Sequence, residues 1–170
     1  MAEVLTLYKL IILYMLHKVD FPLTNSQITE FILEREYTNY FTVQQAFAEA
    51  IDANLIRTEN TYQRTIYHLT EEGEQTIQFF SNDISPVIRE EIAAYLEERK
   101  YDLRNDTNII ADYYRNTNQE YSVNLQIKEQ QELLLDLTIS VPTEAVAESI
   151  ANNWNKKNQE VYALIMEQLL

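Results

Sequence analysis

Residues 24–73 contain the pattern that most limits how this chain can fold. Two helix starts lie close together there, at Thr24 and at Thr42. Each Thr is followed three residues later by a Gln, at Gln27 and Gln45, and this spacing is typical of a capping box at a helix N-terminus. Apolar residues recur every three to four positions after each start, as on the buried face of a helix. The segment therefore predicts two short helices separated by a turn.

Two short runs of β-forming residues follow the second predicted helix. The runs are Leu55–Glu59 and Arg64–Leu69, and the polar residues 60–63 between them form a predicted turn. Thr70 then precedes two acidic residues, which is the arrangement of a helix N-cap and first turn. The resulting order of helix, turn, helix, hairpin and helix is that of a winged helix-turn-helix. We predict this fold for residues 1–81.

The N-terminal segment Leu5–Val19 is apolar around most of its circumference when it is drawn as a helix. A helix of this kind is buried on more than one side. One side is expected to pack on its own domain and the other on a second domain or a second copy, so the sequence predicts a homodimer. The apolar run is shorter than the roughly 20 residues that cross a bilayer, and it lacks the features of a signal peptide. We expect no membrane contact.

The second half of the sequence changes from helical to alternating periodicity. A linker helix is predicted over residues 82–103, starting at Ser85-Pro86. Three strands are predicted after it, over Thr107–Arg115, residues 121–128 and residues 133–141. Thr143 then caps a helix, and the polar run Asn152–Asn158 is expected to separate it from a final helix. The sequence thus predicts an α+β fold, in which residues 104–170 form a three-stranded antiparallel sheet covered by two helices.

Composition argues against the common enzymatic and metal-binding classes. The chain has no Cys and a single Gly, so it contains no thiol nucleophile, no Cys-ligated zinc and no Gly-rich phosphate-binding loop. Its two histidines, His17 and His68, lack the spacing of a metal site. We therefore expect no enzymatic activity, no metal and no cofactor. The absence of Cys also agrees with a reducing, cytoplasmic location.

Net charge bears on whether the protein binds nucleic acid. Lys and Arg total 13 and Asp and Glu total 27, which gives a net charge of −14. Phosphate neutralisation by basic residues supplies much of the affinity for DNA, so this balance disfavours strong non-specific binding. A local set of contacts would still permit specific binding.

The candidate DNA-binding residues lie on the second predicted helix and on the hairpin. If that helix enters the major groove, Gln44 and Gln45 near its start face base edges, where a carboxamide can pair with adenine. Arg57 and Arg64 flank the predicted turn and are the expected phosphate contacts. The acidic residues later in the same helix, among them Glu49, would repel phosphate.

The residues from Leu7 to Ile56, followed by the segment YHLTEEG at Tyr67–Gly73, resemble an uncharacterised bacterial winged-helix family, a domain of unknown function. The resemblance extends over nearly the full chain. The YHLTEEG segment is also similar to the strand-to-helix junction of PadR-type and MarR-type regulators. The resemblance implies a winged helix and a dimer, and it transfers no substrate, effector or operator.

Two functional hypotheses follow. The first is a cytoplasmic, dimeric winged-helix protein that binds DNA and regulates transcription, with the second domain serving dimerisation or sensing. The alternative is a winged helix that acts as an acidic protein–protein interaction module without binding DNA. The acidic surface would then recruit a basic partner, or would keep the module away from DNA.

Overall fold

A computed structural model of the chain describes residues 2–61 and 64–170, with side chains from Leu5 onward. Within these residues it has six α-helices and two three-stranded antiparallel sheets, which confirms the predicted α+β class. The described residues form two compact units, the first made of residues 2–60 and 64–104 and the second holding residues 105–170. Within the described residues, no helix is both long and apolar enough to span a bilayer.

The first unit contains five helices and one sheet. Its elements are α1 (Ala2–His17), β1 (Leu23–Thr24), α2 (Asn25–Glu34), α3 (Tyr40–Asp52), β2 (Ile56–Asn60), β3 (Thr65–Leu69), α4 (Glu71–Phe80), a 3₁₀ turn (Ser81–Asp83) and α5 (Pro86–Asn108), whose last residues enter the second unit. The sheet order is β1-β3-β2, with Leu23 opposite Tyr67 and Ile56 opposite Leu69. The predicted hairpin is confirmed, whereas the two-residue β1 was not predicted.

Helix α1 is the centre of the first unit's core. Tyr8 and all seven residues from Leu10 to Leu16 are buried within the single chain. The helix packs against α3, α4 and β3, which lie around it in the same unit. The expectation that one apolar side of this helix packs on a second domain or a second copy is therefore wrong, because elements of its own unit cover both sides. Burial of α1 therefore does not support a dimer, and a dimer would have to form through a different surface.

The helix caps were predicted with mixed success. Thr24 caps α2 in a full capping box, since the Gln27 amide donates to Thr24 Oγ1 (3.1 Å) and the Thr24 amide donates to Gln27 Oε1 (2.9 Å). The predicted cap at Thr42 is wrong. Helix α3 begins at Tyr40, and Asn39 is its N-cap, with its side chain accepting from the Thr42 amide at 2.9 Å. Asn is at least as good an N-cap as Thr, and its use moves the cap three residues towards the N-terminus and adds three residues to the start of α3.

The only glycine of the chain lies where α4 begins. Thr70 caps α4 as predicted, with its Oγ1 accepting from the Gly73 amide at 3.0 Å. A Cβ at Gly73 would lie 2.0 Å from the Leu55 carbonyl oxygen and 2.8 Å from Leu69 Cδ1. The start of α4 therefore approaches the backbone that leads into β2 more closely than any larger residue allows.

The second unit is a sheet with one long helix. Its elements are β4 (Ile109–Arg115), β5 (Tyr121–Glu129), β6 (Glu132–Val141) and α6 (Glu144–Leu169), and the strand order is β4-β5-β6. Trp154 on α6 is buried against the sheet and its Nε1 donates to Gln126 O at 3.3 Å. Helix α5 continues to Asn108, so β4 starts two residues later than predicted.

The prediction of two C-terminal helices is wrong, because α6 is one continuous helix of 26 residues. The polar run Asn152–Asn158 contains neither Gly nor Pro. Its last side chain forms hydrogen bonds to backbone carbonyl groups of the helix and does not interrupt it. Asn158 Nδ2 donates to the carbonyl oxygen of Trp154 at 3.0 Å and to that of Asn155 at 3.3 Å. A side chain bonded to the preceding turn is compatible with helical backbone.

Candidate nucleic-acid interface

The exposed side of α3 follows from the side that is buried. Its apolar stripe packs into the core through Val43, Ala46, Phe47 and Ala50. The opposite row is exposed and consists of Phe41, Gln45, Ala48 and Asp52. These positions repeat at intervals of three and four residues, so they line one face of the helix. Of the two glutamines predicted to face bases, Gln45 lies on this exposed row.

Gln44 has a different environment, because its carboxamide is bonded to α2. Asn25 Nδ2 donates to Gln44 Oε1 at 2.8 Å, and Gln44 Nε2 donates to Thr29 Oγ1 at 3.1 Å and to Asn25 Oδ1 at 3.3 Å. Asn25 Nδ2 also reaches the Tyr67 hydroxyl at 3.0 Å. We call Asn25, Thr29, Gln44 and Tyr67 the α2–α3 polar cluster. It fixes the angle between α2 and α3 and ties both helices to β3.

Packing around Tyr67 supports the same junction. Its ring stacks on Phe47 with 4.5 Å between ring centroids and 12° between ring planes. Burial raises the pKa of the Tyr67 phenol above its ordinary value, and the hydrogen bond from Asn25 only partly offsets this effect. The neutral phenol thus joins the hairpin to α3 through the ring stack on Phe47 and to α2 through the hydrogen bond from Asn25.

Two exposed aromatic residues at the start of α3 were missed by the sequence analysis. The exposed fraction is 82% for Phe41 and 53% for Tyr40, and their rings meet edge to face with 6.0 Å between centroids. The incorrect cap at Thr42 placed both residues in the turn before the helix. The signal that would have found them was Asn39, whose own spacing to Thr42 fits an N-cap.

The charges of α3 lie in its second half. Glu49 and Asp52 are its only ionisable acidic or basic residues besides Tyr40. Glu49 is paired with Lys9 of α1 at 3.0 Å. Asp52 lies about 18 Å along the helix from Tyr40, from a rise of 1.5 Å per residue. The first half of α3 is therefore uncharged, and the N-terminal end of the helix dipole adds a partial positive charge there.

The hairpin places the two predicted arginines differently. Arg57 is exposed on β2 opposite His68, whereas Arg64 is half-buried at the position before β3. His68 Nε2 lies 2.8 Å from Glu59 Oε2, so this acidic side chain is paired within the hairpin. The predicted turn at residues 60–63 includes Tyr62 and Gln63, which lie outside the described residues.

Most other basic side chains of the first unit contact a partner in that unit. The pairs are Lys9 with Glu49 (3.0 Å), Arg104 with Asp20 (3.2 Å), Arg35 over the Phe31 ring (4.3 Å), Arg99 over the Tyr95 ring (4.9 Å) and Lys18 over the Tyr14 ring (5.2 Å). These contacts compete with phosphate for the same cations. Arg57 is an exposed basic side chain on β2, which packs beside α3.

Fold and surface together define a two-unit α+β protein whose first unit presents an uncharged helix start beside a short hairpin. The chain belongs to the family described as Domain of unknown function (DUF4364), whose model matches residues 8–169. This match confirms the resemblance to an uncharacterised family and carries no activity with it. No curated protein and no solved structure matches the chain.

Proposed function

We propose that the first unit is a winged helix-turn-helix and that the protein is a DNA-binding transcriptional regulator. In this proposal α2 and α3 are the helix-turn-helix, α3 is the recognition helix, and the β2–β3 hairpin is the wing. Support comes from the element order and from the α2–α3 polar cluster, which fixes a helix pair as a rigid unit. A recognition helix must be held in this way because its first residues alone contact base edges.

The observation that carries the proposal is the exposed, uncharged row Phe41, Gln45 and Ala48 on α3. A glutamine carboxamide pairs with adenine at N6 and N7, whereas phenylalanine and alanine side chains pack on the methyl group of thymine. The row therefore suits A·T base pairs. Gln44 acts as a positioning residue, because its carboxamide is already bonded to α2.

The expected backbone contacts are few. Arg57 and Arg64 are the basic residues of the wing, and a dimer would bring two copies of each. Four phosphate contacts correspond to a slope of about −4 in a plot of log affinity against log salt concentration. Non-specific binding is expected to be weak for the same reason and because the net charge is −14.

Selection of duplexes from a random library, followed by fluorescence anisotropy, tests the DNA proposal. We expect A·T-rich sequences to be enriched and Gln45→Ala to weaken binding to them by about 1–3 kcal/mol. Gln75→Ala, an exposed glutamine on α4, is the matched control and should bind like the wild type. DNA binding would be refuted if no sequence is enriched at low salt and if Arg57→Ala has the same affinity for duplex DNA as the wild type.

A second candidate function is protein–protein recognition by the same surface of α3. The observation that favours it is Phe41, a large apolar side chain that is 82% exposed on a helix without Lys or Arg. Exposed aromatic residues are common anchors of protein interfaces. Cross-linking in cells at Phe41, with a photoreactive residue replacing it, separates the candidates. Adducts with DNA support the regulator, and adducts with one defined protein support the alternative.

A further inference from the structure

Strand β6 lies at one edge of the second sheet. It is ten residues long, Glu132–Val141, and among residues 2–61 and 64–170 its only strand partner is β5. Several of its large apolar side chains are exposed, with exposed fractions of 51% for Leu133, 45% for Leu134 and 40% for Ile139. A strand of this length presents an edge of about 33 Å with unpaired backbone groups.

The long helix of the second unit leaves part of the sheet uncovered next to this edge. Helix α6 packs mainly on β4 and β5 and contacts β6 less. On β5 the inward row of Val123, Leu125 and Ile127 is buried. The matching row of β6, Leu135, Leu137 and Ile139, is only half-buried or exposed. Leu135, Leu137 and Ile139 thus form an apolar strip beside the edge of the sheet. The strip lies on the same face of the sheet on which α6 covers β4 and β5.

Strand β6 has few of the features that usually prevent edges from pairing. Lysine, arginine and proline are absent between residues 132 and 141, and the only charged residues are Glu132 and Asp136. A register irregularity at Ile127/Lys128 of β5, which faces the start of β6, disturbs one end of the edge. Residues 135–141 remain in regular register with β5. This part of the edge is open to a further strand.

We propose that β6 pairs antiparallel with β6 of a second copy of the chain, which joins two sheets into one of six strands. An edge that pairs with itself across a two-fold axis must match apolar with apolar residues on each face. The alternation of apolar and polar residues in β6 meets this condition when one residue of β6 lies opposite the same residue of the second copy. With Leu137 at the axis, Leu135 faces Ile139 of the other copy and Asp136 faces Thr138. With Thr138 at the axis, Leu137 faces Ile139 and Asp136 faces Ser140.

Both registers avoid placing like charges opposite each other, which is why the second copy is the favoured occupant. Asp136 meets a hydroxyl side chain in each of them, whereas a register centred on Asp136 would oppose two carboxylates. The half-buried row of each copy would lie beside that of the other on the same side of the joined sheet. The pairing therefore uses the edge and the uncovered apolar strip together.

The net charge predicts how this dimer responds to salt. Two copies of −14 repel each other over distances that salt screens. Dimerisation through β6 should therefore strengthen as salt is raised, whereas DNA binding should weaken. Dimerisation through β6 does not depend on DNA binding and can be measured without DNA.

Sedimentation velocity at 1–100 µM protein, in about 0.3 M salt, tests the pairing. We expect a dimer for the wild type and at least a tenfold weaker dimer for Thr138→Lys, because a lysine on an edge strand opposes pairing. Ser149→Lys places the same charge on an exposed position of α6 and should dimerise like the wild type. A monomeric wild type, or equal dimerisation of the two variants, would overturn the proposal.

Cysteine cross-linking tests the register directly, because the natural chain contains no Cys. Thr138→Cys should form a disulfide dimer if Thr138 lies at the axis, since opposite residues in an antiparallel pair have Cα atoms 4.5–5.5 Å apart. A mixture of Asp136→Cys and Thr138→Cys should cross-link if Leu137 lies at the axis. Ser149→Cys is the control and should run as a monomer in gel electrophoresis under non-reducing conditions. No cross-link in either arm would overturn the antiparallel pairing.

Discussion

Replacing Gly73 with alanine provides a sharp test of how α4 and the hairpin are joined. The new Cβ would lie 2.0 Å from the Leu55 carbonyl oxygen, so that oxygen must move by about 1 Å to reach even the 3.0 Å limit for such contacts. The same carbonyl accepts from the Thr70 amide at 3.2 Å and from the Thr70 hydroxyl at 2.9 Å. Moving it weakens bonds that hold the N-terminus of α4 against the start of β2.

The expected cost follows from two opposing effects. Alanine in place of glycine favours a helix by about 1 kcal/mol. Overpacking a tight site costs about 1–3 kcal/mol, and each weakened hydrogen bond adds about 1 kcal/mol. The steric effect is the larger one, so Gly73→Ala should destabilise the first unit by about 2 kcal/mol in total.

Urea unfolding followed by far-ultraviolet circular dichroism measures this change, and hydrogen exchange of peptides from residues 55–80 locates it. Gln75→Ala, on the exposed side of α4, is the control and should be neutral or slightly stabilising. If Gly73→Ala is as stable as the wild type, the close approach of α4 to Leu55 does not exist as described.

Three further predictions concern the region around α3. Gln44→Ala should destabilise the protein by about 1–3 kcal/mol in urea unfolding because it removes the hydrogen bonds that join α3 to Asn25 and Thr29 of α2, whereas Gln45→Ala should change stability by less than about 0.5 kcal/mol. Phe41→Ala should likewise leave stability unchanged, since Phe41 is 82% exposed, while it weakens whichever binding α3 performs. Burial raises the pKa of the Tyr67 phenol, so the stability it supports should be intact below pH 10.0 and be lost as pH rises through the higher folded pKa. Unfolding midpoints between pH 8 and 11 measure that loss, and Tyr67→Phe should reduce it.

Several elements could be predicted because their causes are local. The caps at Thr24 and Thr70 depend on side chains that reach amides three residues away, so the sequence alone contains both partners. The strands of the second sheet were visible because alternation has a period of two residues, and one buried face fixes it. Their end points depend on the neighbouring elements as well: β4 starts two residues later than predicted because α5 continues to Asn108.

Other features depend on residues that are distant in the chain. Strand β1 is two residues long and exists because Leu23 and Thr24 pair with β3, more than forty residues later. Gln44 faces α2 instead of solvent because Asn25 and Thr29 offer it partners there. The periodicity of α3 alone assigns Gln44 and Gln45 to the same outward side, so the sequence could not distinguish the positioning residue from the exposed one.

The α+β class, the order of most elements, the buried face of α2 and most of that of α3 could be predicted from the sequence, because these follow from local caps and from hydrophobic periodicity. What covers an apolar surface depends on tertiary packing. Both sides of α1 are buried within one unit, whereas β5 is the only described strand that pairs with β6. The hydrophobic pattern of the sequence indicates that a surface is buried. The element that buries it depends on packing between segments that are far apart in the chain.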